Sequence, residues 1–198
     1  MQTCGLILLA AGQSKRMGRP KQLLQVGGKS LLQHSIQVAL QANVDPVILV
    51  TGAQAGLIEG EIHDAKINIV ENVEWEEGLA SSIRCGINAL LEIAPDVEQA
   101  ICMVCDQPFV SASLLNELID ASVNTGSEIV ACAYGNTVGT PVLFSKNYFP
   151  ELLQLQGDGG AKKILKKYGD AVGTISFPEG NVDIDTPQDY EEWKNNTG

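Results

Sequence analysis

Along most of this chain, short continuous apolar runs alternate with stretches whose apolar positions recur at helical spacing. The runs CGLILLAA (4–11), DPVILVTG (45–52), KINIVEN (66–72), QAICMVCD (99–106) and SEIVACAY (127–134) predict strands. Between them, SLLQHSIQVALQAN (30–43) predicts a helix with Ser30 at its N-cap, and residues 53–63 a short one. ASSIRCGINALLEIA (80–94) predicts a third, ended by Pro95, and residues 111–124 a fourth. The last third is less regular, with strands expected over 139–145 and 171–177. Helices are expected from Lys146, in GDGGAKKILKKY (157–168), and after Pro187.

Strand alternating with helix, the strands apolar on both faces, implies an α/β fold with a mostly parallel sheet covered on both sides. Ligands of such sheets bind beyond the carboxyl ends of the strands. With 198 residues, no linker and no repeat, one domain spanning 1–198 is expected. The N-terminus lacks a basic region before its apolar run, and no stretch has the length of a membrane span, so a cytoplasmic protein without membrane contact is expected.

Five cysteines scattered through a chain of this size read as reduced, packed thiols. The Cys102-x-x-Cys105 pair lies inside an apolar run without a second pair, which disfavours a zinc or redox role. A net charge of −11 disfavours nucleic acid as a partner but leaves room for a small anionic ligand at a local cation cluster.

Such a cluster follows the first strand. In LAAGQSKRMGRPKQLL (9–24), Ala10, Ala11 and Gly12 keep side-chain bulk away from the backbone amides, and Lys15, Arg16, Arg19 and Lys21 follow. The spacing is neither that of a dinucleotide-binding loop nor that of a P-loop. Taken alone it fits either a phosphate-holding loop or a solvated surface loop. Asp106, in VCDQPFV (104–110), ends a strand on the same side of the sheet; it suits a hard divalent ion or a cap on the next turn. Asp183 and Asp185, in VDIDTPQDY (182–190), precede a helix with Thr186 or Asp185 at its cap and Pro187 at N1. Together, one cationic Gly loop and two carboxylate clusters form an arrangement used in nucleotidyl transfer.

LILLAAGQSKRMGRPKQLL resembles the signature of the MobA-like nucleotidyltransferases. NVEWEEGLASSIRCGI (72–87), CDQPFV, GTPVLF, GDGGAKKIL and DIDTPQDY follow in the order found in the molybdenum cofactor cytidylyltransferase branch, over about residues 4–190. The resemblance implies a three-layer, Rossmann-like nucleotidyltransferase (GT-A-like) fold. It implies transfer of CMP from CTP to the terminal phosphate of molybdenum cofactor, with Mg²⁺, or Mn²⁺ in its place. Leu9, Ala10, Ala11, Gly12, Gly78, Ser81 and Ser82 would bind the nucleotide, and Arg16 and Lys21 its phosphates. Catalysis would rest on Lys21, Arg16 and Asp106, with Asp106 and Asp185 on the metal and Asp183 as a third carboxylate. Gly139, Pro141, Gly157, Asp158, Gly159 and Gly160 would border the acceptor. A molybdoenzyme or its maturation chaperone is a further implied partner. Sugar-phosphate and isoprenoid-precursor nucleotidyltransferases share the fold and a similar first loop, and a delivery factor without transferase activity is an alternative of another class.

The related guanylyl-transferring branch has Gly where this chain has Ala11, and the extra methyl favours a pyrimidine base. Trp75 and Trp193 read as packing residues, His34 and His63 have no partner suggesting nucleophilic catalysis, and KKILKK (162–167) reads as a solvated helix face.

Overall fold

A computed structural model describes residues 3–26, 28–62 and 66–197. Its element order begins with β1 (Cys4–Leu9), a small antiparallel hairpin of β2 (Gln25–Val26) and β3 (Lys29–Ser30), and α1 (Leu31–Gln41). It continues through β4 (Val47–Thr51), α2 (Ala55–Glu59), β5 (Ile67–Glu71), α3 (Leu79–Ile93), β6 (Gln99–Val104) and α4 (Ala112–Thr125). The last third holds β7 (Ile129–Tyr134), β8 (Thr137–Ser145), α5 (Phe149–Leu152), α6 (Lys162–Tyr168), β9 (Gly173–Ser176) and α7 (Pro187–Thr197).

Seven strands form one sheet in the order β5-β4-β1-β6-β8-β7-β9. β8 alone runs antiparallel to its neighbours β6 and β7; every other pair is parallel. Along the central strand, Leu6 and Leu8 join a cluster with Leu32 and Ile36 of α1 and Leu115 and Leu118 of α4. Ile7 and Leu9 point the other way, into a cluster with Ile83, Ile87 and Leu90 of α3 and Phe149 and Leu152 of α5. The two clusters produce the expected three-layer α/β architecture. Cys102 and Cys105, three residues apart, fall into opposite clusters, so they do not pair; burial pushes both thiols up to about 12.

Local details match local chemistry. Ser30 caps α1 in a capping box, its hydroxyl accepting from the Gln33 amide at 3.1 Å while Gln33 Oε1 accepts from the Ser30 amide. Ser111 caps α4 with its hydroxyl alone, accepting from the Leu114 amide, so that helix starts one residue later than expected. Two expectations are corrected. The helix from Lys146 begins as a 3₁₀ turn (Lys146–Tyr148), leaving α5 only four residues long. β1 stops at Leu9 rather than continuing to residue 11, which releases Ala10 and Ala11 into the following loop. His34 lies on α1, and His63 lies outside the described residues. Among the described residues no helix is long and apolar enough to cross a membrane.

Candidate active site

Parallel register brings three strand ends to one level. Leu9 stands beside Val50 on one side and Val104 on the other, so residues 10–12, 52 and 105–106 leave the sheet together. The loop from Ala10 to Leu24 is then shaped from within by a side chain that reads from sequence as an ordinary surface glutamine. Gln22 is 1% exposed; its Nε2 donates to the carbonyls of Ala10 (2.8 Å) and Gly12 (3.0 Å). Its Oε1 accepts from Ser14 Oγ, and that hydroxyl in turn accepts from the Lys21 amide at 3.1 Å. Loop carbonyls are thereby tied back under the chain. The only sequence signal was a position: Gln22 directly follows Lys21 in a short apolar-flanked turn.

Lys21, on the 3₁₀ turn Lys21–Leu23, reaches Asp106 Oδ2 at 2.5 Å and Asp185 Oδ1 at 2.8 Å. Arg16, its side chain 72% exposed, holds the other oxygen of Asp185 at 2.6 Å. Neither Asp106 nor Asp185 serves as a cap. Thr186 caps α7, accepting from the Asp189 amide, while the Asp189 carboxylate accepts from the amides of Asp185 and Thr186. Asp185 is therefore free of capping duty. Asp106 does not cap the next turn either, since Oδ2 meets Lys21 and Oδ1 is buried without a hydrogen-bond partner among the described residues. The 182–186 segment is fastened to this strand end by the Ile184 amide, which donates to the Asp106 carbonyl at 3.1 Å.

Charge follows the same geometry. Burial opposes the Lys21 charge, but the Asp106 and Asp185 carboxylates outweigh it and hold the ammonium above the usual lysine range. For Asp185, burial is outweighed by Lys21 and Arg16, and its carboxyl lies below the usual range. For Asp183, burial, reinforced by the charges of Asp106 and Asp185, outweighs the weaker pull of Lys21 and Lys162 and pushes it up to about 6.

Two cavities meet here. One, of about 650 Å³, is walled by the loop from Leu9 to Lys15, by Lys21 and Gln22, and by Trp75, Gly78, Leu79 and Ser82. The other, of about 220 Å³, is lined by Gln107, Tyr134, Gly139, Thr140, Lys162 and Asp183 among others. Leu9, Leu79, Val104, Asp106 and Asp158 line both. Ser82 faces the larger cavity, but Ser81 does not line it: its hydroxyl donates to the carbonyls of Glu74 and Gly78 and accepts from Asn72. Pro141, Gly157 and Gly160 do not line the smaller cavity, while Gly139, Asp158 and Gly159 do. The Gly157 carbonyl accepts from the Ala80 amide, docking this turn on the start of α3. Trp75 packs against the core, as expected, and is also a wall of the larger cavity.

Asp106 Oδ1, buried and unpartnered beside Asp185, is an oxygen donor suited to a hard cation such as Mg²⁺ or Mn²⁺. Among the described residues no three His, Cys, Asp or Glu side chains converge closely enough to hold a metal. A divalent ion here would thus depend on ligand phosphates for the rest of its oxygen shell.

The MobA-like NTP transferase domain matches residues 6–172. Similar proteins include the purine catabolism protein PucB of Bacillus subtilis, 26% identical over 93% of both chains. The molybdenum cofactor cytidylyltransferase of Escherichia coli is 27% identical over 96% of this chain and 95% of its own. The nicotine blue oxidoreductase of Paenarthrobacter nicotinovorans is 27% identical over 91% of each. Among solved structures, Rv0371c of Mycobacterium tuberculosis superposes with a TM-score of 0.84 at 33% identity over 98% of both chains. The same protein has been solved as a manganese complex, similar with a TM-score of 0.78. Loop, carboxylates, sheet order and these likenesses agree on one conclusion: the chain belongs to the MobA-like NTP transferase family of nucleotidyltransferases.

Proposed function

We propose that this protein transfers CMP from CTP to the terminal phosphate of molybdenum cofactor, releasing pyrophosphate. The observation that carries the reading is the position of Asp106 and Lys21: Asp106 lines both cavities, one with a cation-bearing Gly loop and one without it. The larger cavity suits a nucleoside triphosphate and the smaller one the phosphate end of an acceptor. The likeness to the Escherichia coli cytidylyltransferase over nearly the whole chain supports this choice of substrates.

In this reading a terminal oxygen of the acceptor phosphate attacks the α-phosphorus of CTP. The new P–O bond forms as the bond to the β-phosphate oxygen breaks, and pyrophosphate leaves with the electron pair. A phosphate monoester is largely dianionic at neutral pH, so no general base is needed. Amides of Ala11 and Gly12 are turned to the triphosphate because the carbonyls of their peptide units, Ala10 and Ala11, are taken up by Gln22 Nε2 and the Ala53 amide. Lys21 and Arg16 offset its charge, each giving up a carboxylate partner to do so. Asp106 and Asp185 would hold Mg²⁺ or Mn²⁺, which when bound supplies Lewis-acid charge compensation at the α-phosphate.

Preference for CTP rests on Ala11. A methyl built on Gly52 would lie 2.8 Å from Ala11 Cβ and 2.9 Å from Trp75 Cβ, so Ala11 and Trp75 crowd the same spot. The Ala11 methyl therefore acts on the base pocket through its packing beside Trp75.

The test is pyrophosphate release with each of the four NTPs, with and without molybdenum cofactor. Release with CTP alone, dependent on the cofactor, is expected. Release with a sugar phosphate or an isoprenoid precursor as acceptor, or cofactor binding without any release, overturns the reading.

A further inference from the structure

Helix α6 divides its four lysines into two pairs with different fates. Lys163 and Lys167 are used by the protein itself: Lys163 donates to the Gln156 carbonyl, and Lys167 pairs with Glu151 at 2.8 Å. Lys162 and Lys166 stand one turn apart on another flank, and neither has a hydrogen-bond or ion-pair partner among the described residues. Side chains four apart on a helix are neighbours at about 5–6 Å. Lys162 feels the charge of Asp183 across the small cavity, but neither lysine is tied down by an ion pair, which in a protein of net charge −11 leaves both ammonium groups available to an anion.

Lys162 and Lys166, both exposed, and the buried Leu165 between them share a shallow groove of about 500 Å³ with the turn Gly135–Asn136 that joins β7 to β8. Lys162 and Leu165 also line the 220 Å³ cavity, so the groove continues that cavity away from Asp106. Three spaces thus run in series: the Gly-loop cavity, the small cavity, and a groove edged by two lysines.

We propose that the groove is a binding subsite for a second anionic group of the acceptor, remote from the phosphate that attacks. The proposal rests on the nucleotidyl-transfer reading of the same site. The acceptor class is a molecule with a phosphate at one end and a further anionic centre at the other, such as a carboxylate, a second phosphate or an oxoanion. A phosphomonoester with a neutral tail leaves both lysines unpaired.

The test compares two double variants that remove equal charge, K162Q/K166Q and K146Q/K167Q. In protein saturated with CTP, inorganic phosphate is titrated while the lysine side-chain resonances are followed by NMR. Saturable shifts confined to Lys162 and Lys166 are expected, lost in K162Q/K166Q and retained in K146Q/K167Q. Equal shifts of all four α6 lysines, no saturable shift, or retention of binding in K162Q/K166Q overturns the subsite. With molybdenum cofactor as acceptor, K162Q/K166Q is expected to raise the acceptor KM about tenfold and leave the CTP KM unchanged. Absence of pyrophosphate release by the unsubstituted protein counts against the cytidylyltransferase reading, and the phosphate titration still decides the subsite.

Discussion

Lys21 Nζ lies 2.5 Å from Asp106 Oδ2, on a carboxylate whose other oxygen is buried without a partner among the described residues. One oxygen is neutralised by the protein and the other is kept dry and unsatisfied, a costly state unless a ligand completes it. Asp106→Ala is therefore expected to abolish metal-dependent pyrophosphate release, by about 10³-fold or more, with little loss of stability. Kinetics beside thermal unfolding check this; full activity of the variant with Mg²⁺ removes Asp106 from the mechanism.

Replacing the cation has the opposite balance. Lys21→Met leaves Asp106, Asp183 and Asp185 facing one another without the ammonium that two of them share. The expected cost is about 2–4 kcal/mol, below the full penalty of breaking a buried pair because both carboxylates retain some solvent. Added Mn²⁺ is expected to raise the Tm of this variant more than that of the unsubstituted protein. Equal shifts in a calorimeter would count against a shared cation position.

Asp183 carries the pH prediction. Its carboxyl sits at about 6 in the folded protein against 3.8 ordinarily, so the folded state binds the proton more tightly. Its contribution is fully present below about 4 and is lost as pH rises through about 6. Asp185 works in the reverse sense, its lowered carboxyl contributing stability that is lost as pH falls toward and below the ordinary range. In chelator-treated protein, Asp183→Asn is expected to match the parent near pH 4 and to exceed it by about 1–2 kcal/mol at pH 7, after allowance for solvent screening. Denaturant titrations at the two pH values read the difference.

Gln22 is expected to control the nucleotide loop without touching the nucleotide. Gln22→Met keeps its volume but frees the Ala10 and Gly12 carbonyls, at about 1–3 kcal/mol. The expected signature is a CTP KM raised about tenfold, an unchanged acceptor KM and a modest fall in Tm. A fall in Tm with both KM values unchanged would reduce Gln22 to a packing residue.

Gly78 is expected to tolerate no side chain. Its φ is +111°, and a Cβ there would lie 3.0 Å from the Asp158 backbone nitrogen and against the Asp158 side chain. Gly78→Ala should cost about 1–3 kcal/mol in backbone strain and displace the turn that carries Asp158 between the two cavities. A crystal structure of the variant with that turn unmoved would contradict the argument.

Most strands and helices could be read from the chain because each buries a face whose period is local. The Ser30 cap and the loop beginning at Ala10 could be read for the same reason. Strand direction is not local: GTPVLFS has the same pattern whichever way it runs, and β8 enters antiparallel between β6 and β7. A signal was present in the two residues Gly135 and Asn136 between β7 and β8, a length that only a hairpin accommodates. The role of Gln22 was hidden because its partners are carbonyls 10 and 12 residues upstream, and backbone acceptors leave no mark on composition. Ser81 and Ser82 came from the family resemblance, which does not tell the two hydroxyls apart: Ser82 lines the larger cavity, while the Ser81 hydroxyl closes the turn before α3.

Met17, Leu24, Leu31 and Ile184 form a small separate core, joined by Tyr190 and Trp193 of α7. Tyr190 also donates to the Gln25 carbonyl at 2.5 Å, and Arg19 lies over its ring. The last turns of the chain are thus buckled onto the cationic loop near its beginning. The region matched by the family ends at residue 172, before this buckle and before Asp185. A fragment cut at that boundary would keep six of the seven strands of the main sheet yet lose the carboxylates of Asp183 and Asp185 and the clasp on the cationic loop. For this protein the matched family domain ends before the residues that complete the candidate site.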